Sequence, residues 1–213
     1  MSARPVVVIG AGGHAKVVIE TLRAAGQQVT AALDADPARH GTLVHGVPIA
    51  GGDEWLDGRD AASVLLANGI GSTGKPGPRA RVFDALKGKG FAFVTVVHPA
   101  AVLASDVVLE EGAQVMAGAV LQVGCRIGAN AVVNTGAVVD HDCLIGRHAH
   151  VAPGAVLSGS VVVGEGAHIG TGAAVIQGVS IGAGAVVGAG AAVVADVPAQ
   201  ALAVGVPARA RCR

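Results

Sequence analysis

A small parallel α/β sheet running into a stacked β-helix is the fold class this sequence predicts, and three observations carry the prediction. Residues 1 to about 95 alternate strand-like and helix-like runs. From about residue 105 the apolar rhythm changes to a strict beat of six. Glycine supplies 33 of the 213 residues, far above the usual share of about 7%, while rings number one Trp, three Phe and no Tyr. A core with so few rings is a narrow one, filled by small aliphatics.

In the first half, Val6–Ile9 is a run of four aliphatics and reads as a buried parallel strand. Gly10, Ala11, Gly12 and Gly13 make a turn, and residues 15–25 read as a helix stopped by Gly26. A second strand covers 29–33 and ends at Asp34. A third covers 63–67, followed by a loop through Gly74, Pro76 and Pro78. Residues 79–87 read as a second helix and 91–97 as a further strand. Strands and helices that alternate in this way build a small parallel sheet.

In the second half, steps of six from Leu109 land on Val115, Leu121, Ile127, Val133, Val139, Ile145, Val151, Leu157, Val163, Ile169, Val175, Ile181, Val187 and Val193. All fifteen positions are aliphatic. The residue two before each is small: Ala in most, Val or Cys in the rest. A six-residue period marks a β-helix whose coil turns three corners in about eighteen residues. The large aliphatic points inward, the small residue fits beside the corner, and glycine tolerates the tight turn. Fifteen hexapeptides make about five coils, stacked roughly 4.8 Å apart.

Composition excludes several functions. Lys plus Arg and Asp plus Glu are 15 each, so there is no basic surface for nucleic acid and no polybasic membrane anchor. Stacking aromatics for single strands are missing. No run of about 18 apolar residues suggests a membrane span, and the N-terminal apolar run is too short for a signal peptide. The three cysteines are odd in number and lack CxxC spacing. Cys125 and Cys143 fall at small-residue positions of the repeat, as buried hydrophobes in a reducing cytoplasm.

Two segments carry chemistry. Gly10-Ala11-Gly12-Gly13-His14-Ala15 follows a strand and opens a helix, a context whose backbone N–H groups favour an anion. Asp34 ends the next strand, where an acid commonly meets a ribose or base. The alternatives are a tight turn without a ligand and an ordinary NAD site, for which about 95 residues supply too few strands. In the prism, His141 and Asp142 are adjacent. His141 lies two positions after inward Val139, so it is on the surface. One coil away stand Val123 and Gly159, and Gly159 leaves room beside the imidazole for a substrate or a pantetheine arm. Its N–H is also a candidate oxyanion donor. Imidazole titrates near neutrality and suits a general base, and a neighbouring carboxylate orients it. His150 and His168 are eighteen apart and should stack on one face.

The hexapeptides resemble those of the left-handed β-helix acyltransferases. With the GxGGHxK-type loop and His98-Pro99-Ala100-Ala101 between the halves, nearly the whole chain resembles the sialic-acid O-acetyltransferase and bacillosamine N-acetyltransferase family. That resemblance implies a left-handed prism, a homotrimer with sites between neighbouring prisms, and acetyl-CoA as cosubstrate, with no metal. It implies a nucleotide-sugar domain over 1–97 and an acetyl-CoA-binding catalytic domain over 98–213. Gly12, Gly13 and His14 match the phosphate-side loop, Asp34 the base- or ribose-binding acid, and Gly71 and Ser72 the loop that closes over the nucleotide. Asn134-Thr135, His141-Asp142-Cys143 and Gly146 match the active-site segment. By that match Asn134 contacts substrate, His141 is the base and Asp142 its helper. Relatives place Glu at the helper position, so the shorter Asp142 puts the contact in question. His150 matches a residue at the thioester, and Thr171 and Ala189 match CoA contacts made by the backbone. Gly205-Val206-Pro207-Ala208-Arg209 resembles the ending common after such prisms. Its arginine either meets a CoA phosphate or belongs to a turn closing the last coil, as Arg211 and Arg213 do.

The implied reaction is acetylation of the 4-amino group of a nucleotide-linked 4-amino-4,6-dideoxyhexose, GDP-perosamine first among them. It belongs to cytoplasmic synthesis of surface polysaccharide such as the O-antigen of lipopolysaccharide. Three alternatives remain at this level. One is O-acetylation or a UDP-linked acceptor. Another is a γ-type carbonic anhydrase using His141, His148, His150 or His168 as metal ligands. The last is a binding or scaffold protein without chemistry.

Overall fold

The computed structural model describes residues 4–72 and 77–211. Gly74, Pro76, Cys212 and Arg213 lie outside the described residues. The N-terminal half is a sheet of five strands, β1 (Val6–Ile9), β2 (Val29–Leu33), β3 (Leu43–Val44), β4 (Val47–Gly51) and β5 (Leu65–Asn68), in the order β3-β4-β2-β1-β5. All pairs but β3–β4 are parallel. Every residue of central β1 is buried, because helix α1 (Gly13–Ala24) covers one face and helix α2 (Gly77–Gly88) the other. Ala15, Val18, Ile19 and Leu22 form the buried stripe of α1 at helical spacing. Gly26, at φ +73°, follows its end as expected.

Two features depart from the sequence reading. β3 and β4 form a hairpin that the sequence does not announce, because its turn is His45-Gly46. Both turn residues have positive φ, 46° and 74°. The turn type usually signals itself through Asn or Asp before Gly, and here histidine takes that place. The expected strand over 91–97 divides instead. Phe93 bridges to Leu66 in the sheet, while β6 (Val96–Val97) stacks on Gln114–Val115 of the prism. The Glu111 carboxylate accepts the Phe93 N–H at 2.8 Å and pairs with Lys87, which takes the chain out of the sheet at that point.

Seventeen two-residue strands at intervals of six run from β6 to β22 (Ala192–Val193). They form three parallel sheets that close a left-handed β-helix. The register is eighteen residues throughout: Val120 faces Val138, which faces Val156. Both inward positions are buried, Cys125 and Cys143 among them. The six-beat runs back two steps beyond Leu109, since Leu103 and Val97 also pack on this core. An antiparallel hairpin, β23 (Leu202–Gly205) and β24 (Ala208–Arg211), ends the chain against β21 (Val186–Val187). It holds Arg209 and Arg211 on the surface.

Candidate active site

The glycine loop delivers α1 with an open N-terminus. A methyl built on Gly12 or Gly13 meets nothing within 4 Å, and the first turn carries no acid. Free N–H groups at a helix start attract an anion. Asp34 closes the other side. Its carboxylate accepts from Ala11 N at 2.7 Å and Asp36 N at 3.0 Å, and pairs with Arg39 at 3.3 Å. Arg39 also donates to the Ala11 carbonyl at 2.7 Å, so loop and acid are clamped together. Beside them opens a cavity of about 160 Å³ with Ile9, Leu33, Ile70 and Val82 as apolar walls and Asp34 and Asp53 as acids.

His14 takes a different place from the one its motif suggested. Its Nε2–H donates to Gln114 Oε1 of the prism at 2.8 Å. Burial, then the Arg79 charge, pushes its pKa down to about 4, so the ring is neutral. It anchors the loop to the prism.

The loop over Gly69, Ile70, Gly71 and Ser72 is held tightly. A methyl on Gly69 would come within 2.7 Å of Val8 and 2.8 Å of Ala15, so only glycine passes between β1 and α1. The loop carries Ser72 to His150 on β15 (His150–Val151), with Oγ 2.8 Å from Nδ1. On the ring's other side Asn134 Nδ2 donates to Nε2 at 3.1 Å. The proton therefore sits on Nδ1 and points at Ser72. Burial, then the neighbouring His168, pushes the His150 pKa down to about 3. The expected stack is present: His150 pairs with His168 in register, with ring centroids 5.0 Å apart. A groove of about 480 Å³ runs from here past Ser72, His168, Thr171, Gly188 and Ala189. Four predicted residues from distant parts of the chain thus line one channel.

His141 and Asp142 stand elsewhere. His141 follows β13 (Val138–Val139) at the corner where the six-stranded and five-stranded faces meet. The groove lies on the third face. Asp142, though one methylene shorter than Glu, reaches the ring: Nδ1 is 2.9 Å from Oδ2. This hydrogen bond is the main cause raising the His141 pKa above its ordinary 6.5. The room expected beside Gly159 is already taken, because the imidazole itself lies against that glycine.

At the junction of the halves, Asn68, Arg79, Gln114 and Asn130 carry no sequence signal. Arg79 is fully buried and donates to the carbonyls of Asn68 at 2.8 Å, Ile70 at 2.9 Å and Asn130 at 3.3 Å. Asn68 bonds Asn130, and Asn130 bonds His148. Gln114 Nε2 donates to Asn68 O. His148 is further tied to Arg147, which pairs with Asp84. Partners 46 to 62 residues apart become visible only in the fold. Among the described residues no three His, Cys, Asp or Glu side chains are grouped to hold a metal. No described helix is long and apolar enough to cross a membrane.

The family described as the PglD N-terminal domain matches residues 5–85, and that described as bacterial transferase hexapeptide (six repeats) matches residues 124–159. No curated relative matches the chain. Among solved structures the chain is similar to the H141N mutant of perosamine N-acetyltransferase from Caulobacter crescentus, in complex with CoA and GDP-perosamine. Identity is 45%, coverage 100% of this chain and 99% of that one, and the TM-score 0.91. It is also similar to the acetyltransferase domain of PglB from Neisseria gonorrhoeae, in complex with acetyl coenzyme A, at 34% identity, 99% and 100% coverage and a TM-score of 0.90. WeeI from Acinetobacter baumannii follows at 28% identity, 98% and 100% coverage and a TM-score of 0.80.

Proposed function

The chain belongs to the hexapeptide-repeat nucleotide-sugar acetyltransferases with a PglD-type N-terminal domain, and from that premise we propose that it acetylates the 4-amino group of GDP-perosamine. It is an acyltransferase that takes its acetyl group from acetyl-CoA. The observation that carries the reading is the His141–Asp142 pair at 2.9 Å, on a corner of the prism, with the ring's Nε2 left for chemistry.

The reaction needs a neutral amine. With Nδ1–H held by Asp142, the His141 Nε2 lone pair takes a proton from the sugar amine as nitrogen attacks the thioester carbonyl. The carbonyl oxygen becomes an oxyanion. The Gly159 N–H donates to no backbone acceptor among the described residues and is our candidate to receive it. The C–S bond then breaks, and the proton held by His141 passes to the departing thiolate of CoA.

The acetyl-CoA arm fits the groove at His150, Thr171 and Ala189, and the nucleotide fits the α1 N-terminus and the cavity by Asp34. Guanine offers two adjacent N–H donors to a carboxylate such as Asp53, where a pyrimidine dione offers one between two carbonyls. That favours GDP over UDP or dTDP.

A homotrimer supplies what one chain lacks, since His141 and the groove occupy different faces. The two faces that meet at His141 present Val102, Val156, Leu144 and Val162 outward, between 40% and 62% exposed. Aliphatic stripes of this kind suit burial against other copies. We place the reaction in the cytoplasm, in the supply of surface polysaccharide such as O-antigen.

The test is thiol release from acetyl-CoA with GDP-, UDP- and dTDP-linked 4-amino sugars. Turnover is expected with the GDP-linked amine, and His141→Ala should lose about 10²–10⁴-fold in rate. Turnover confined to a hydroxyl acceptor, or a His141→Ala enzyme of full rate, would overturn the reading.

A further inference from the structure

Gly159 has no backbone reason to be glycine. Its φ is not in the left-handed region, whereas Gly154, Gly166 and Gly172 sit at 65°, 63° and 65°. Close approach to the next coil's backbone does not demand it either. At Gly146 and Gly164 an added methyl strikes backbone atoms of the neighbouring coil at 2.5–2.9 Å. At Gly159 the three nearest atoms all belong to one side chain: the methyl would overlap Cε1 and Nε2 of His141 and lie 3.0 Å from Cδ2. The repeat makes the choice conspicuous. The position two after each inward aliphatic is held by Glu111, Ala117, Val123, Ala129, Thr135, His141, Arg147, Pro153, and so on to Ala195. Gly159 is the single glycine among the fifteen.

On the other side the pattern repeats. A methyl on Gly124 would overlap Oδ1 of Asp142 and lie 3.4 Å from its Cα and Cγ. Gly124 has φ +73°, so its backbone also calls for glycine. The dyad therefore sits between two glycines, one on the coil before and one on the coil after.

We propose that Gly159 is a positioning residue: by carrying no side chain it seats the His141 imidazole against the next coil, in reach of Asp142. The ring is half exposed, with 53% of its side chain in solvent, so little else restrains it. Loss of the seat turns the ring outward and separates Nδ1 from the carboxylate. The inference rests on the reading of His141 as the base.

The variant Gly159→Ala tests it, because the ring can swing away and the 159 N–H stays in place. Displacement of a reacting group by about 1 Å costs up to about 100-fold. We expect kcat to fall about 10- to 100-fold with both KM values changed less than about threefold. The acid limb of the pH–rate profile should move to lower pH, because the hydrogen bond that raises the His141 pKa is broken. A thermal cycle reads the seat without catalysis: Gly159→Ala removes unfolded-chain freedom in both backgrounds, but the change in Tm should be less favourable in wild type than in His141→Ala, where the methyl has room. Unchanged kcat and pH limb in Gly159→Ala would overturn the proposal, as would equal Tm changes in the two backgrounds. If His141→Ala alone kept full activity, the base assignment would fail, while the Tm cycle would still report on the seat.

Discussion

Asp142 occupies a backbone slot that glycine fills in most coils. Its φ is 59°, matching Gly118, Gly124 and Gly136 at 69°, 73° and 65°. Among residues with a side chain, Asn and Asp enter this region at least cost. The same slot holds Asn130 and His148, and both also use their side chains in hydrogen bonds. The tight corner thus aims the carboxylate back at the preceding residue's ring. Asp142→Asn keeps the left-handed preference and removes the charge. The His141 pKa, raised chiefly by its bond to Asp142, should fall toward 6.5, so the acid limb of kcat should shift to lower pH. The plateau rate should drop by less than the about 10²–10⁴ expected on losing His141, the proposed base. Steady-state rates between pH 5 and 9 check both statements. The sequence made the adjacency of the pair plain. It hid the seat, because a space beside His141 and a space filled by His141 look alike as a glycine eighteen residues on.

Each coil of the prism holds three two-residue strands, and each strand between the terminal coils is paired with the coils before and after it. Stability is local in such a stack, as in other repeat architectures. Ile127 is fully buried between Leu109 and Ile145 on its face. Ile127→Ala should cost about 2–5 kcal/mol, measurable as a lower urea midpoint with an unchanged m-value. The prism was legible because one rule governs every coil. The sheet was less so. Its β3–β4 hairpin turns on His45 in place of the usual Asn or Asp, and its last expected strand is divided by the Glu111 carboxylate, eighteen residues beyond the Phe93 N–H it captures. Ser72, His150, Thr171 and Ala189 are candidates by family resemblance alone, and the fold brings them to one groove.

The two halves meet through buried neutral imidazoles and one buried guanidinium. Arg79 has its pKa lowered to about 9 by burial and finds backbone carbonyls as acceptors. His14 and His150 are held at about 4 and about 3, against 6.5 for a free imidazole. The unfolded chain binds protons at these sites below pH 6.5 and the folded chain does not. Their contribution is therefore present in full above pH 6.5 and is lost as pH falls toward 4 and 3. The loss amounts to about 1.4 kcal/mol per histidine per pH unit. Denaturant midpoints should be flat from pH 8 to 7 and fall steeply from 6 to 4. His14→Gln or His150→Asn should each flatten that slope.

The terminal hairpin bears on a hazard inherent in any parallel solenoid. A coil with nothing stacked on it offers unpaired N–H and C=O groups, a template on which another molecule's coil could lengthen the column. Here β24 runs antiparallel to β23 and breaks the direction the stack requires. At the opposite end α1 lies against β6 in a shared apolar cluster. On this face of the prism neither end presents a bare parallel strand on which a further coil could be added in register.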